Sequence, residues 1–169
     1  FKQKTAYEIR NCDWSSDVCS SDLDRYGYQR GDDMLLLAAR VLAGVCDGAA
    51  DFIGHVGGDD FVLLMQSPDW DARLQRALLE FDQGAQALFD EADRAANGFQ
   101  GIDRQGNPIY FPLTTLSIGA VLADPGMHHS HKEVAARAAD AKKRAKQMPG
   151  SVYFVERRRP EHPPRIIEQ

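Results

Sequence analysis

The chain has 169 residues and a mass of 18.8 kDa, enough for one ordinary domain and too little for two well-buried cores. Hydrophobic residues at 43% and charged residues at 27% exclude a disordered tail, a collagen-like repeat and a disulfide-dense miniprotein. The net charge of −5 divides by sign: residues 24–131 carry 7 basic and 16 acidic side chains, whereas residues 132–169 carry 10 and 5.

The first 23 residues show neither helical nor alternating periodicity, and they lack the apolar stretch of a signal peptide. Their string, FKQKTAYEIRNCDWSSDVCSSDL, resembles translated sequencing-adapter read-through. Residues 1–23 are therefore expected to be a non-native segment, followed by one domain at 24–156 and a loose, proline-rich tail at 157–169. Cys12 and Cys19 fall in the first segment, and Cys46 is the third cysteine. An odd number without CxxC spacing argues against a zinc site or a disulfide framework and points to a reducing, cytoplasmic setting. No apolar run is long enough for a helical membrane span, because Arg40 interrupts the longest candidate.

From Asp32 to about Cys46, Met34, Leu37, Ala38, Val41 and Val45 recur at three- and four-residue steps and predict a helix. Two short β-rich runs, 51–56 and 60–66, flank Gly57-Gly58-Asp59 and predict an antiparallel hairpin. Ser67, Pro68, Asp69 and Asp71 read as cap, first-turn proline and first-turn acids of a second helix. Its apolar stripe runs through Trp70, Leu74, Ala77, Leu78, Phe81, Ala85 and Leu88, and Asn97-Gly98 ends it.

A short strand near 99–102 and a longer one over 109–122 follow, with Pro112 expected to mark a bulge or an edge. In the longer strand Leu116, Ile118 and Ala120 alternate with Ser117, Gly119 and Val121, and Gly119 is expected to admit a close neighbour. His128, His129 and His131 cluster in a loop without a ligand pattern for a metal. A last helix over 130–148 points Val134, Ala138, Ala141 and Ala145 inward, and a last strand covers 152–155. The order predicts an α/β domain with a mainly antiparallel central sheet flanked by helices. Neither GxGxxG nor GxxxxGK[ST] occurs, so any phosphate chemistry needs another device.

That device is His55-Val56-Gly57-Gly58-Asp59-Asp60-Phe61, two residues without side chains followed by two carboxylates at a hairpin tip. Bare backbone lets a triphosphate lie close, and an adjacent carboxylate can hold Mg²⁺, a hard cation that shares its shell with substrate phosphates. The tetrapeptide alone reads equally as an ordinary hairpin with solvated acids.

In context the sequence resembles the GGDEF family, the diguanylate cyclases, most of all GGDEF domains attached to EAL phosphodiesterase domains. The resemblance rests on GGDDF at 57–61, DRYGYQRGD at 24–32, SIGA at 117–120 and AKKRAK at 141–146, and it covers roughly 24–155. It implies an adenylyl cyclase- or palm-like fold, here lacking its first strand, and condensation of two GTP into cyclic di-GMP with Mg²⁺ or Mn²⁺ at a homodimer interface. By the same resemblance Asp59 and Asp60 are the catalytic and metal-binding carboxylates. Asp60 stands where glutamate is usual and loses about 1.3 to 1.5 Å of reach.

The resemblance further implies that Asp32 accepts the guanine N1 and N2 hydrogens, that Gly57 and Gly58 make room for the substrate, and that Lys146 meets the terminal phosphates. From the residues themselves Asp32 reads equally as a helix cap, with Asp33 in the first turn beside it. Leu23 replaces the asparagine that the family sets before Asp24, and Gly150 replaces an arginine four residues after Lys146. His55 stands where arginine is common and reads as structural. The product-inhibition motif keeps only Asp51, with Gly48 in place of its arginine, so inhibition there is expected to be weak. These departures keep open a second reading, a degenerate domain that binds GTP and regulates an attached EAL domain. The basic 142–159 stretch has one aromatic pair, Tyr153 and Phe154, beside an acidic remainder, which argues against a nucleic-acid partner.

Overall fold

A computed structural model describes residues 4–11, 16–102, 105–123 and 130–157, with side chains from residue 29 onward. Among the described residues seven strands and four helices follow one another as β1 (Lys4–Asn11), α1 (Ser16–Gly44), β2 (Phe52–Gly57), β3 (Asp60–Met65), α2 (Trp70–Gln86), α3 (Glu91–Ala96), β4 (Gly98–Ile102), β5 (Pro108–Pro112), β6 (Leu116–Ala123), α4 (His131–Ala145) and β7 (Val152–Glu156). Five strands form the central sheet in the order β2-β3-β1-β6-β7, and β4 and β5 form a separate hairpin. All central pairings are antiparallel except β6–β7, which α4 joins as a crossover. The mainly antiparallel α/β architecture expected from the element order is the one observed.

The first strand, expected to be missing, is present in the backbone. β1 lies at the centre of the sheet, with Ile9 opposite Phe61 on one side and Ile118 on the other. Thr5, Tyr7 and Ile9 recur at period two within KTAYEIRN, a short alternation that the reading of residues 1–23 passed over. The strand also satisfies ladders on both flanks, which local periodicity cannot reveal. It contains no aspartate, and Glu8 is its one acid.

α1 also starts earlier than expected, so DRYGYQRGD lies inside the helix instead of preceding it. No proline interrupts 16–44, and Gly27 and Gly31 cost only about 1 kcal/mol each. Asp32 and Asp33 are consequently mid-helix, and the cap reading of Asp32 fails. The second predicted helix divides at residues 87–90 into α2 and α3, with Asp90 in extended conformation as the new N-cap. Asp69, not Ser67, is the N-cap of α2, and Asn97 closes α3 in the left-handed conformation (φ 56°). The predicted 109–122 strand likewise divides at Pro112, which ends β5.

The core gathers Met34, Leu37, Val41 and Leu42 of α1, Leu74, Ala77 and Phe81 of α2, and Phe61, Leu63, Met65, Leu116 and Ile118 of the sheet. β6 is buried on both faces, since α4 covers its small-residue side. A Cβ on Gly119 would stand 2.2 Å from the Lys142 backbone nitrogen, so the missing side chain is what lets α4 lie on the sheet. Ser130 caps α4 by accepting from the Glu133 N–H at 3.3 Å. Trp70 meets Tyr153 edge-on at 6.4 Å, and the Tyr153 hydroxyl donates to Asp71, joining β7 to α2. His128, His129 and the tail from 158 lie outside the described residues.

Candidate functional site

β2 and β3 converge on a two-residue loop. Gly57 pairs with Asp60, and a bulge between His55 and Gly57 shifts the register. Gly57 (φ 140°) and Gly58 (φ 57°) both occupy positive φ, and a Cβ on either would meet nothing within 4 Å. Glycine is needed here for backbone conformation, and the space above the loop is open, as a closely approaching substrate requires. The His55 ring stacks on Phe61 with centroids 4.8 Å apart and planes at 28°, and its Nε2–H donates to the Gly58 carbonyl at 2.8 Å.

Asp59, which follows, is half-buried. Burial pushes its carboxyl above the usual aspartate range, its own backbone N–H and the charges of Lys146 and Lys142 draw it down, and the Asp60 charge adds to the rise. One further acid of the hairpin and two lysines at the end of α4 thus act on the Asp59 carboxylate. Lys146 is the C-cap residue of α4, its N–H donating to the Lys142 carbonyl at 2.9 Å, which sets the two residues one turn apart on the helix. From sequence, Lys142 is one of three cations, with Lys143 and Arg144, that could make up for the arginine absent at Gly150, and it is Lys142 whose charge acts on Asp59 beside that of Lys146. Arg144 of the same turn is engaged elsewhere, its guanidinium 5.5 Å from the Phe154 ring centroid.

Asp32 is exposed on α1. Gly150 is exposed as well and lines a groove of roughly 480 Å³ whose wall includes Asp82, Phe89, Asn97, Thr114 and Lys146. Ser151, next to it, donates to Asp82 and accepts from the Leu116 N–H at 2.9 Å.

Asp51 is committed to the fold. Its carboxylate accepts from the backbone N–H groups of Asp47 and Gln66, both at 2.9 Å, and from Arg73 at 2.6 Å. Burial opposes ionisation of this group, but the backbone hydrogen bonds and Arg73 prevail and hold it below the usual carboxylate range. Gly48 is exposed in the turn just before it.

The donor set suits a hard divalent cation. Asp59 and Asp60 offer oxygen ligands, and a cation relieves the crowding of their charges. Among the described residues no group of three His, Cys, Asp or Glu side chains is arranged to hold a metal.

The family described as "Diguanylate cyclase, GGDEF domain" matches residues 23–151. The chain belongs to the GGDEF family. Its fold is similar to that of the GGDEF domain of PA1120 from Pseudomonas aeruginosa, at 20% identity and a TM-score of 0.58, covering 90% of this chain and 82% of that one. It is similar also to the GGDEF domain of DgcB from Caulobacter crescentus, solved in complex with c-di-GMP, at 17% identity and a TM-score of 0.56 over 90% of this chain and 78% of that one. The active GGEEF domain of a diguanylate cyclase from Vibrio cholerae matches at 18% identity and a TM-score of 0.55 over 92% and 85%. A search of curated proteins finds no match. No helix among the described residues of this GGDEF domain is long and apolar enough to cross a membrane.

Proposed function

We propose that this GGDEF domain binds GTP together with Mg²⁺ or Mn²⁺ at the β2–β3 loop and condenses two GTP molecules into cyclic di-GMP across a homodimer. What supports the reading is the Asp59 carboxylate, on which the charges of Asp60, Lys146 and Lys142 all act, beside a loop with no side chains to obstruct a triphosphate. Asp59 and Asp60 would hold the divalent ion, whose chemistry is to neutralise phosphate charge and make the attacking 3′-hydroxyl more acidic.

Lys146, with Lys142, meets the terminal phosphates as a pair of point charges. Gly57 and Gly58 admit the phosphates to the backbone. The Asp32 carboxylate presents two oxygens to the parallel N1 and N2 hydrogens of guanine. Positioning and charge neutralisation supply the catalysis, and no covalent intermediate on the protein is needed.

A second reading is favoured by Asp60, by Gly150 and by the lack of an aspartate in β1. In it the domain binds GTP without turnover and regulates an attached EAL domain.

The test follows cyclic di-GMP by mass spectrometry after incubation with GTP and Mg²⁺. It is run on the full chain, on Asp59→Ala, and on a version whose residues 1–23 are replaced by an aspartate-bearing strand ending in asparagine. Product that Asp59→Ala abolishes supports the cyclase. Nucleotide binding without product supports the regulatory reading, and product that survives Asp59→Ala overturns the metal assignment.

A further inference from the structure

His55 of β2 makes two contacts, and both bear on the loop. Its ring lies on Phe61, itself 5% exposed and anchored in the core, so the plane of the imidazole is fixed by the sheet. A carbonyl oxygen can only accept, so the bond to Gly58 requires the proton on Nε2 and selects that tautomer of the neutral ring.

The carbonyl it grips belongs to the peptide unit that joins Gly58 to Asp59. That unit is planar and trans, so fixing its oxygen also fixes the direction of its N–H. This N–H is the Asp59 amide, the same group that acts on the Asp59 carboxylate. A chain of contacts thus runs from the Phe61 ring through the imidazole to the peptide plane that carries the Asp59 N–H. Without it, two successive glycines at positive φ would leave the loop with the conformational freedom that glycine brings.

We infer that His55 is a positioning residue, which sets the Gly58–Asp59 peptide so that the Asp59 carboxylate is preorganised for a divalent cation and the phosphates it accompanies. The inference rests on the nucleotide-binding reading proposed above. It assigns His55 no proton transfer and no contact with substrate.

Two substitutions separate its parts. His55→Phe keeps a ring on Phe61 but has no donor, and His55→Gln keeps an N–H of similar reach without the ring. Amide exchange of peptides spanning 57–60 is measured by mass spectrometry on the nucleotide-free full chain. Mn²⁺ binding with and without GTP is followed by electron paramagnetic resonance, and the melting temperature serves as the fold control.

His55→Phe is expected to speed exchange in the loop and to weaken Mn²⁺–GTP binding about fivefold, the worth of one ordinary hydrogen bond, with melting unchanged. His55→Gln, which keeps a donor but loses the ring contact that orients it, should fall between wild type and His55→Phe in both. Unchanged exchange in His55→Phe, faster exchange without weaker binding, or equal damage in both variants would overturn the inference. Should the unsubstituted protein bind no Mn²⁺–GTP, the proposed function falls with the metal role of His55, and the exchange data then report on the clamp by itself.

Discussion

The Asp51 carboxylate and the Arg73 guanidinium meet at 2.6 Å, with the aspartate side chain wholly buried and the arginine 18% exposed. The pair ties the turn before β2 to α2, and the Asp47 and Gln66 amides complete the carboxylate's shell. Removing one member of such a pair strands the other, so Asp51→Asn is expected to cost about 3 kcal/mol at neutral pH. Urea denaturation of the two proteins measures it.

The same carboxylate gives stability a defined pH dependence. Its folded pKa lies below the unfolded value of about 3.9. Its contribution is therefore complete above that value and disappears as pH falls through the lower folded one. Melts between pH 6 and about pH 2 should show a steeper acid loss for the native chain than for Asp51→Asn. Equal slopes would assign the acid loss to other groups.

Binding of cyclic di-GMP at the Asp51 position is expected to be weak. Arg73 and two backbone amides already engage the carboxylate, and Gly48 brings no guanidinium. Calorimetric titration should show no saturable binding that Asp51→Asn removes.

Gly119→Ala probes the seat of α4. The added methyl would stand 2.2 Å from the Lys142 backbone nitrogen and 2.7 Å from the Ala138 carbonyl oxygen, neither of which can rotate aside. Overpacking of this kind costs about 1 to 3 kcal/mol, and moving α4 also moves Lys142 and Lys146. The variant should melt earlier and bind GTP less tightly. A stability loss with unchanged GTP affinity would detach the lysines from the substrate.

Asp60→Glu lengthens the second acid by one methylene. If the cyclase reading holds, this variant should form cyclic di-GMP faster than the native chain under the same Mg²⁺ and GTP, as product accumulation would reveal. Equal or lower rates would mean that reach at this position does not limit turnover.

The elements legible in the sequence were those whose signals are local. Gly57-Gly58-Asp59 between two β-rich runs announces a hairpin, and Ser130 with its three- and four-residue apolar spacing announces α4. The bare alternate face of β6 foretold a close neighbour at Gly119, and α4 is that neighbour. Breaks were harder to see. Residues 87–89 contain neither glycine nor proline, and the division of the second helix depends on Asp90 turning extended to start α3. β1 escaped notice because a central strand is defined by partners remote in sequence. Within the site, Asp59 and Lys146 followed from the family pattern. The effect of Lys142 on Asp59 and the hold of His55 on Gly58 depend on how α4 and the hairpin are arranged in space.

The sheet order makes β1 a ruler. The acids hang from the β2–β3 ladder and the lysines from the helix bridging β6 and β7, and one strand keeps these two halves apart. From β3 to β6 is two strand spacings, roughly 10 Å. The spacing of the two strands beside which these arms spring is therefore written in backbone pairing, and substitutions that preserve the ladder can vary the chemistry of either arm while leaving that spacing intact.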